Sequence, residues 1–498
     1  MPNNSLHIEL IFARYLIANN KICNTMRLTL TIVGIFIALS SSAQGLSYAM
    51  AREEMLSNNL EIQAAHDAIE IAQLELRAAR GLRLPTIDFL ASYTLMQRDI
   101  EIDLGGSKGT LSNTAQHIID KGISDGIITP GIANLITEGL SLLLAADWSL
   151  ALQKRSTFMG AATIAQPIYM GGRINAAVTA AEIKANQAEY QLQALTNNLT
   201  TQLIELYYGV VLAERNIEVR NNVVKGIEQH LNDAIELEKE GLIPHSDVLY
   251  VQYKLSEAER ELSTANSKLV VVRKALSKIL NRECSENLTD RIFIVDSIYN
   301  IDYYIQMATD INPIIKHTRG DIALSEQGIK VARAALLPEI SALGGAIIAS
   351  HNLTSMLPRW SAGIGLRLNI FNGLVNKRNL QAANKTLETV FTISEITTDK
   401  ITLLVENEYY NTINSLKYID MIQTSIEFAR AYLRTKHEGF IEGVTTSKEL
   451  IDAELELQAA ELEQMEAGYN FCKFLARLLE ASGASDTFEN YQIKAIFL

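Results

Sequence analysis

Pro167-Ile168-Tyr169-Met170-Gly171-Gly172 returns 202 residues later as Asn369-Ile370-Phe371-Asn372-Gly373-Leu374. At the same spacing Tyr207-Tyr208 is answered by Tyr409-Tyr410, and Glu240-Gly241-Leu242 by Glu442-Gly443-Val444. Upstream, the run from Ala79 through Leu84-Pro85 to Ile87 is answered by Ala332 through Leu337-Pro338 to Ile340, now 253 residues on. A repeat this long is a whole structural unit present twice, each copy ordered as helix, strand pair, very long helix and returning helix. The fall from 253 to 202 leaves roughly fifty extra residues between the two strands of the first copy. The expected division is 1–43 for an extension and signal segment, 44–300 for the first repeat and 301–498 for the second.

The strands show a period of two. In Thr86–Met96 the residues Ile87, Phe89, Ala91, Tyr93 and Leu95 share one face, opposite Thr86, Asp88, Ser92 and Thr94. Glu339–Ala349 alternates likewise, with Ile340, Ala342, Gly344, Ala346 and Ile348 together. In Trp360–Phe371, Trp360, Ala362, Ile364, Leu366, Leu368 and Ile370 oppose Ser361, Gly363, Gly365, Arg367 and Asn369. The fourth, Phe158–Ile168, is patterned more weakly. Strands of about eleven residues, apolar on one face and small or polar on the other, suit a bilayer-spanning barrel. A half-buried soluble sheet has the same alternation but commonly shorter strands, about five or six residues.

The helices weigh for the longer structure. Ala49–Arg80 is helical in composition and ends at Gly81 before Pro85. No proline occurs from Arg173 to Glu238, and at ~1.5 Å per residue this helix would run about 100 Å. Val375–Glu438 repeats it. Gly241 and Pro244 break the first long helix, and Ser246-Asp247 can cap a returning helix. That helix has a heptad seam of Leu255, Ala258, Leu262, Ala265, Leu269, Val272, Leu276 and Ile279. In the second copy, Thr446–Leu479, the seam is Leu455, Leu462, Met465, Tyr469, Cys472, Ala476 and Leu479, interrupted by Gln458.

The rest of the chain narrows the functional classes. A formal charge of −13, from 44 basic and 57 acidic residues, opposes a nucleic-acid partner. Met26-Arg27, the apolar run Leu28–Leu39 and Ser40-Ser41-Ser42-Ala43 read as a secretory signal, with Met26 as start and Gln44 as the mature first residue. Twelve apolar residues are too few for the ~20 of a spanning helix, so a membrane would be crossed by strands. Cys284 and Cys472 stand alone and read as buried, inert thiols rather than a disulfide framework. The eight histidines have no ligand spacing, so no metal or other cofactor is expected. Gly105-Gly106-Ser107-Lys108-Gly109-Thr110 lacks the phosphate-loop spacing and reads as a polar loop. No nucleophile elbow or acid–base constellation supports an enzyme.

Strand pair, long helix, glycine turn and returning helix, twice over after a signal segment, resemble the TolC-like outer membrane efflux protein family. The residues that carry the resemblance are Leu84-Pro85, Gln166-Pro167-Ile168-Tyr169-x-Gly171-Gly172-Arg173, Glu240-Gly241-Leu242 with Ser246-Asp247-Val248-Leu249, and Glu442-Gly443-Val444-Thr445-Thr446-Ser447 with Leu450-x-Asp452-Ala453. The resemblance implies an α+β, mostly α fold in a homotrimer. Each protomer would give four strands to one twelve-stranded transmembrane β-barrel, continued by an α-helical coiled-coil tunnel across the periplasm. It implies a passive exit duct in outer-membrane lipid, served by a periplasmic adaptor and an inner-membrane pump. The alternative is a periplasmic coiled-coil adaptor or scaffold, which lacks paired bilayer-length strands. Residues 97–157 depart from the family's short external loops, and Ile127–Leu152 is apolar enough for a helix over or beside the barrel mouth. Lys448-Glu449 also departs from the pattern at the tip.

The resemblance places Glu449 and Asp452, three apart on the first turn of the last long helix, at the periplasmic constriction. Six such carboxylates in a trimer would favour cations, and crowding would raise their affinity for protons. The bland reading is helix-start acids complementing the helix dipole. Glu454 and Glu456 read as solvated. The hairpin tips, with Gly241, Leu242, Pro244, Ser246 and Asp247 in one and Gly443, Val444, Thr446 and Ser447 in the other, are the expected adaptor-docking residues. The bland reading there is that they are turns only.

Overall fold

The computed structural model describes residues 45–97, 100–102, 108–143, 150–353 and 357–497. The expected signal segment lies outside the described residues. The chain order is α1 Tyr48–Asn58, α2 Leu60–Gly81, β1 Thr86–Leu95, β2 Ile100–Ile102, α3 Lys108–Ser124, α4 Pro130–Leu143, β3 Leu150–Met170, α5 Arg173–Lys239 and α6 His245–Ile279. There follow β4 Phe293–Ile294, α7 Ile301–Ile311, α8 Pro313–Ala334, β5 Glu339–Leu353, β6 Trp360–Arg367, α9 Val375–Ile441 and α10 Ser447–Ser482. A short α11, Phe488–Gln492, and β7, Ile496–Phe497, close the described chain.

The two halves repeat each other in element order and in detail. Both long helices have 67 residues. Each starts after a left-handed residue, Gly172 (φ 88°) or Leu374 (φ 69°). The single helix expected over Ala49–Arg80 is instead two, because the Asn59 side chain accepts the Glu61 and Ile62 N–H groups and starts a new helix there. Asn312 accepts from Ile314 and Ile315 in the same way between α7 and α8. The returning helix α6 starts at His245 behind Pro244, with no side-chain cap, so Ser246-Asp247 does not cap it. Asp247 lies inside its first turn.

The sheet order is β1-β3-β5-β6, with β2 added on β3. All pairings in it are antiparallel. Register makes the two faces continuous. Ile87, Phe89, Ala91 and Tyr93 pair with Ile164, Ala162, Gly160 and Phe158. Ile164 and Ala162 pair with Gly344 and Ala346, which pair with Ala362 and Trp360. This apolar face is bare: Ile87, Phe89, Tyr93, Trp360, Ile364 and Leu366 are each about two-thirds or more exposed. The opposite face carries Asp88, Thr163, Gly345 and Ser361 in one row. The strand Trp360–Phe371 ends early, at Arg367, because its partner β5 begins at Glu339 and offers nothing further to pair with. β3 is longer than Phe158–Ile168, since its first residues pair with β2.

Below the sheet the helices share a main core. Tyr48, Tyr207, Tyr208, Phe293, Phe471 and Phe488 are fully buried and meet mostly edge to face. The Tyr207 hydroxyl donates to the Leu46 carbonyl at 2.7 Å. The repeated tyrosine pair is therefore core in the first half, whereas Tyr410 is exposed in the second. Cys472 is buried on the α10 seam and donates to the Phe293 carbonyl, and burial pushes its thiol up to about 12. Cys284 is also free and buried. The deepest line of α10 includes Ala453, Ala460 and Ala467, one heptad apart. The expected Leu455, Leu462 and Met465 are only half-buried.

Candidate gate and docking tips

At ~1.5 Å per residue α5 and α9 carry the chain about 100 Å from the sheet before it reverses. Both reversals are glycine turns of one geometry. Gly241 has φ 73° and Gly443 φ 72°, values that L side chains adopt only with strain. In the first, the Leu242 N–H returns to the Leu237 carbonyl at 2.9 Å. In the second, the Val444 N–H returns to Gly439 at 2.9 Å. Leu242 and Val444 project into solvent, 70% and 78% exposed. At the first tip the Ser246 hydroxyl donates to Asp247, while His245 Nδ1 lies 2.7 Å from Glu238. Gly439 was not among the expected residues, yet a Cβ there would stand 2.4 Å from Thr445 Oγ1.

The second tip is fixed by a capping box. Thr446 accepts the Glu449 N–H at 3.3 Å, and the Glu449 carboxylate accepts the Thr446 N–H at 3.1 Å. Ser447 is the first helical residue. Lys436 on α9 reaches the same carboxylate at 3.3 Å. Within one chain the Thr446 N–H and then Lys436 hold the Glu449 carboxyl below its ordinary range. Asp452 is exposed and makes no capping bond. It stands beside Tyr250 of α6, whose phenol is pushed up by burial and then by the Asp452 charge. Lys254 and Lys448 both lie over the Tyr250 ring, at 6.0 and 5.6 Å.

The two expected gate acids are thus adjacent but unlike. Glu449 is engaged within its own hairpin, and Asp452 faces a tyrosine–lysine cluster absent from the sequence expectation. Glu454 is only partly solvated, since His230 Nε2 of α5 lies 3.1 Å from it across the helix interface. Glu456 is exposed as expected. Ile227, Ala234, Val248, Val251 and Ile451 form a small core just inside the tips. Lys436 could have been found by counting back from Gly443, because hairpin partners lie nearly equidistant from the turn.

The outer membrane efflux protein family model matches residues 51–282 and 304–484. The chain belongs to the outer membrane efflux protein family. The two matched segments each span one helix–strand–helix half. Among relatives, protein CyaE of Bordetella pertussis is 22% identical over 46% of this chain and 52% of its own. The cobalt-zinc-cadmium resistance protein CzcC of Cupriavidus metallidurans is 22% identical over 46% and 54%. The chain thus spans about half the length of these two relatives. It matches 84% of nodulation protein T of Rhizobium leguminosarum bv. trifolii, at 20% identity over 87% of this chain. A membrane protein structure from Pseudomonas aeruginosa shares the fold with a TM-score of 0.70 and 16% identity, over 88% of this chain and 90% of that one. The Campylobacter jejuni CmeC outer membrane channel does so with 0.68 and 14%, over 90% and 89%. The family is one of outer membrane efflux proteins, and the fold is shared with an outer membrane channel of known structure. No helix among the described residues is long and apolar enough to cross a membrane.

Proposed function

We propose that this chain is the outer-membrane exit duct of a tripartite efflux or type I secretion system, passing substrates passively outward as a homotrimer. The observation that carries this reading is the sheet, which has a bare apolar face and two unpaired edges, β1 and β6, on opposite sides. In hydrocarbon an open edge leaves backbone groups unsatisfied at several kcal/mol each, so only a closed ring is viable. Opposite edges permit head-to-tail pairing between copies, and three four-stranded sheets close a twelve-stranded barrel. The matching halves support one unit used twice, divided near residue 300. An adaptor or scaffold built of helical hairpins would need neither the bare face nor the matched edges.

In this reading the sheet sits in outer-membrane lipid and the helices extend into the periplasm. The tips then face the inner-membrane pump, and the grooves beside Leu242 and Val444 receive the helical hairpin of a periplasmic adaptor. Asp452 supplies the charge at the constriction, while Glu449 shapes the hairpin that carries it. The test is migration of an unboiled membrane extract. A trimer band that collapses to monomer on heating is expected, and monomer alone in the unheated sample would reject the barrel.

A further inference from the structure

The insertion between β1 and β3 folds into a helical hairpin whose second helix packs against the small and polar face of the sheet. Gly126 (φ 70°) ends α3, and the Ile127 and Ile128 N–H groups both return to the Gly122 carbonyl at 2.9 Å. Pro130 then opens α4, with Ile119, Ile132 and Ala133 buried. Lys108-Gly109-Thr110 belongs to α3 and is no loop, and the apolar helix covers Pro130–Leu143 rather than Ile127–Leu152.

The face that α4 touches is settled by geometry. A Cβ on Gly345 would lie 3.6 Å from Leu135 Cδ1, and Gly345 pairs with Ser361 on the small and polar face. Ile132, Leu135 and Ile136 close over Met159, Thr163 and Ile347 around an apolar cavity of about 20 Å³. Met159, Thr163 and Ile347 all share the parity of Gly345. From the outer end Leu357 presses on α4, with Cδ2 2.8 Å from where a Gly139 Cβ would stand. The bare face carrying Ile87, Phe89 and Ile364 is untouched by the hairpin. The free side of the hairpin carries Asp120, Lys121, Asp125 and Glu138, all exposed, which suits water and not lipid.

The geometry points to a plug: α4 lies against the lumenal wall of the outer barrel and forms a second constriction, at the end opposite the tips. This rests on the trimeric barrel proposed above. Twelve strands about 4.8 Å apart and tilted about 40° enclose a ring roughly 24 Å across. A helix with its side chains is about 10–12 Å wide, so three copies of α4 against the wall leave little open section. Ile118, Ile123 and Ile127, exposed in one chain, are where hairpins from three copies would cover one another. The plug would set an upper size for what leaves the duct and for what enters from outside.

The test places a cysteine at Thr86, on the lumenal face near the inner end of β1, and adds small or bulky impermeant maleimides to intact cells. Cys284 and Cys472 are buried and stay silent. The small reagent is expected to label Thr86→Cys in the full-length chain, and the bulky one to fail. Replacing residues 108–143 with a short Gly-Ser linker should admit the bulky reagent to the extent of the small one. Leu135→Asp with Ile136→Asp should do the same by undocking α4 without removing it. Equal labelling by both reagents in the intact full-length trimer would overturn the plug alone. A full-length protein with no heat-dissociable trimer would overturn the barrel, and the plug with it.

Discussion

Asn59 and Asn312, 253 residues apart, hold equivalent places in the two halves. Each starts a helix by accepting two N–H groups. The Asn59 amide donates to the Ile279 carbonyl at 3.0 Å, and that of Asn312 to the Ala481 carbonyl at 2.8 Å. Those carbonyls close α6 and α10, so one buried side chain ends the returning helix and starts the entering one. Asn59→Ala or Asn312→Ala should each destabilise the fold by about 1–2 kcal/mol. Thermal dissociation of the trimer would show it, and Asn→Asp should not restore the wild-type value, because it removes the donor.

The unlike surroundings of Glu449 and Asp452 separate two roles. Asp452→Asn should weaken cation selectivity in single-channel recordings, and Glu449→Gln should change it little, because Lys436 already opposes that charge. Replacing both by alanine should remove block by multivalent cations added from the tip side. Glu456→Gln is the control. Glu454 is unsuitable, since removing it strips a half-buried contact from His230. The sign with pH follows from the lowered Glu449 carboxyl. Its contribution to the capping box is present above the unfolded Glu pKa and lost as pH falls through the lower folded value. Amide exchange at the start of α10 should therefore stay slow in mild acid and quicken only below the ordinary Glu range.

Docking is read at the tips. Photocrosslinkers at Leu242 and Val444 should capture a periplasmic partner in cells. Gly443→Val should reduce that capture, because φ 72° strains a β-branched residue. An intact trimer with no captured partner from either position would leave the tips as turns alone.

The long helices were legible to within about three residues, because unbroken apolar spacing and glycine turns are local signals. So were the faces of β1 and β6. The break at Asn59 was missed although the 253-residue repeat reaches it, since composition on both sides stays helical. The Thr446-x-x-Glu449 spacing is itself a capping-box signature, which the gate and helix-dipole readings of Glu449 leave unread. The placement of α4 was not legible. Its docking depends on Met159, Ile347 and Leu357, from three separated segments, and a lumen-facing helix and an external one have the same amphipathic pattern. The His230–Glu454 contact is likewise tertiary, joining helices more than two hundred residues apart in sequence.

The two faces of β6 should differ sharply in tolerance. Ile364→Lys, at mid-strand, should cost roughly 2–4 kcal/mol, and Gly363→Lys much less. Assembly yield and trimer melting of the two variants make the comparison.

The barrel itself is tested most directly by single cysteines placed along β6, from Trp360 to Arg367, in the full-length protein in membranes. Each is probed with a small charged thiol reagent and with a quencher dissolved in lipid. The expected result is a period of two. Positions 361, 363, 365 and 367 should react from water, and 360, 362, 364 and 366 should respond only to the lipid-phase quencher. Uniform reactivity from water along the strand, without alternation, would contradict a sheet that crosses the membrane.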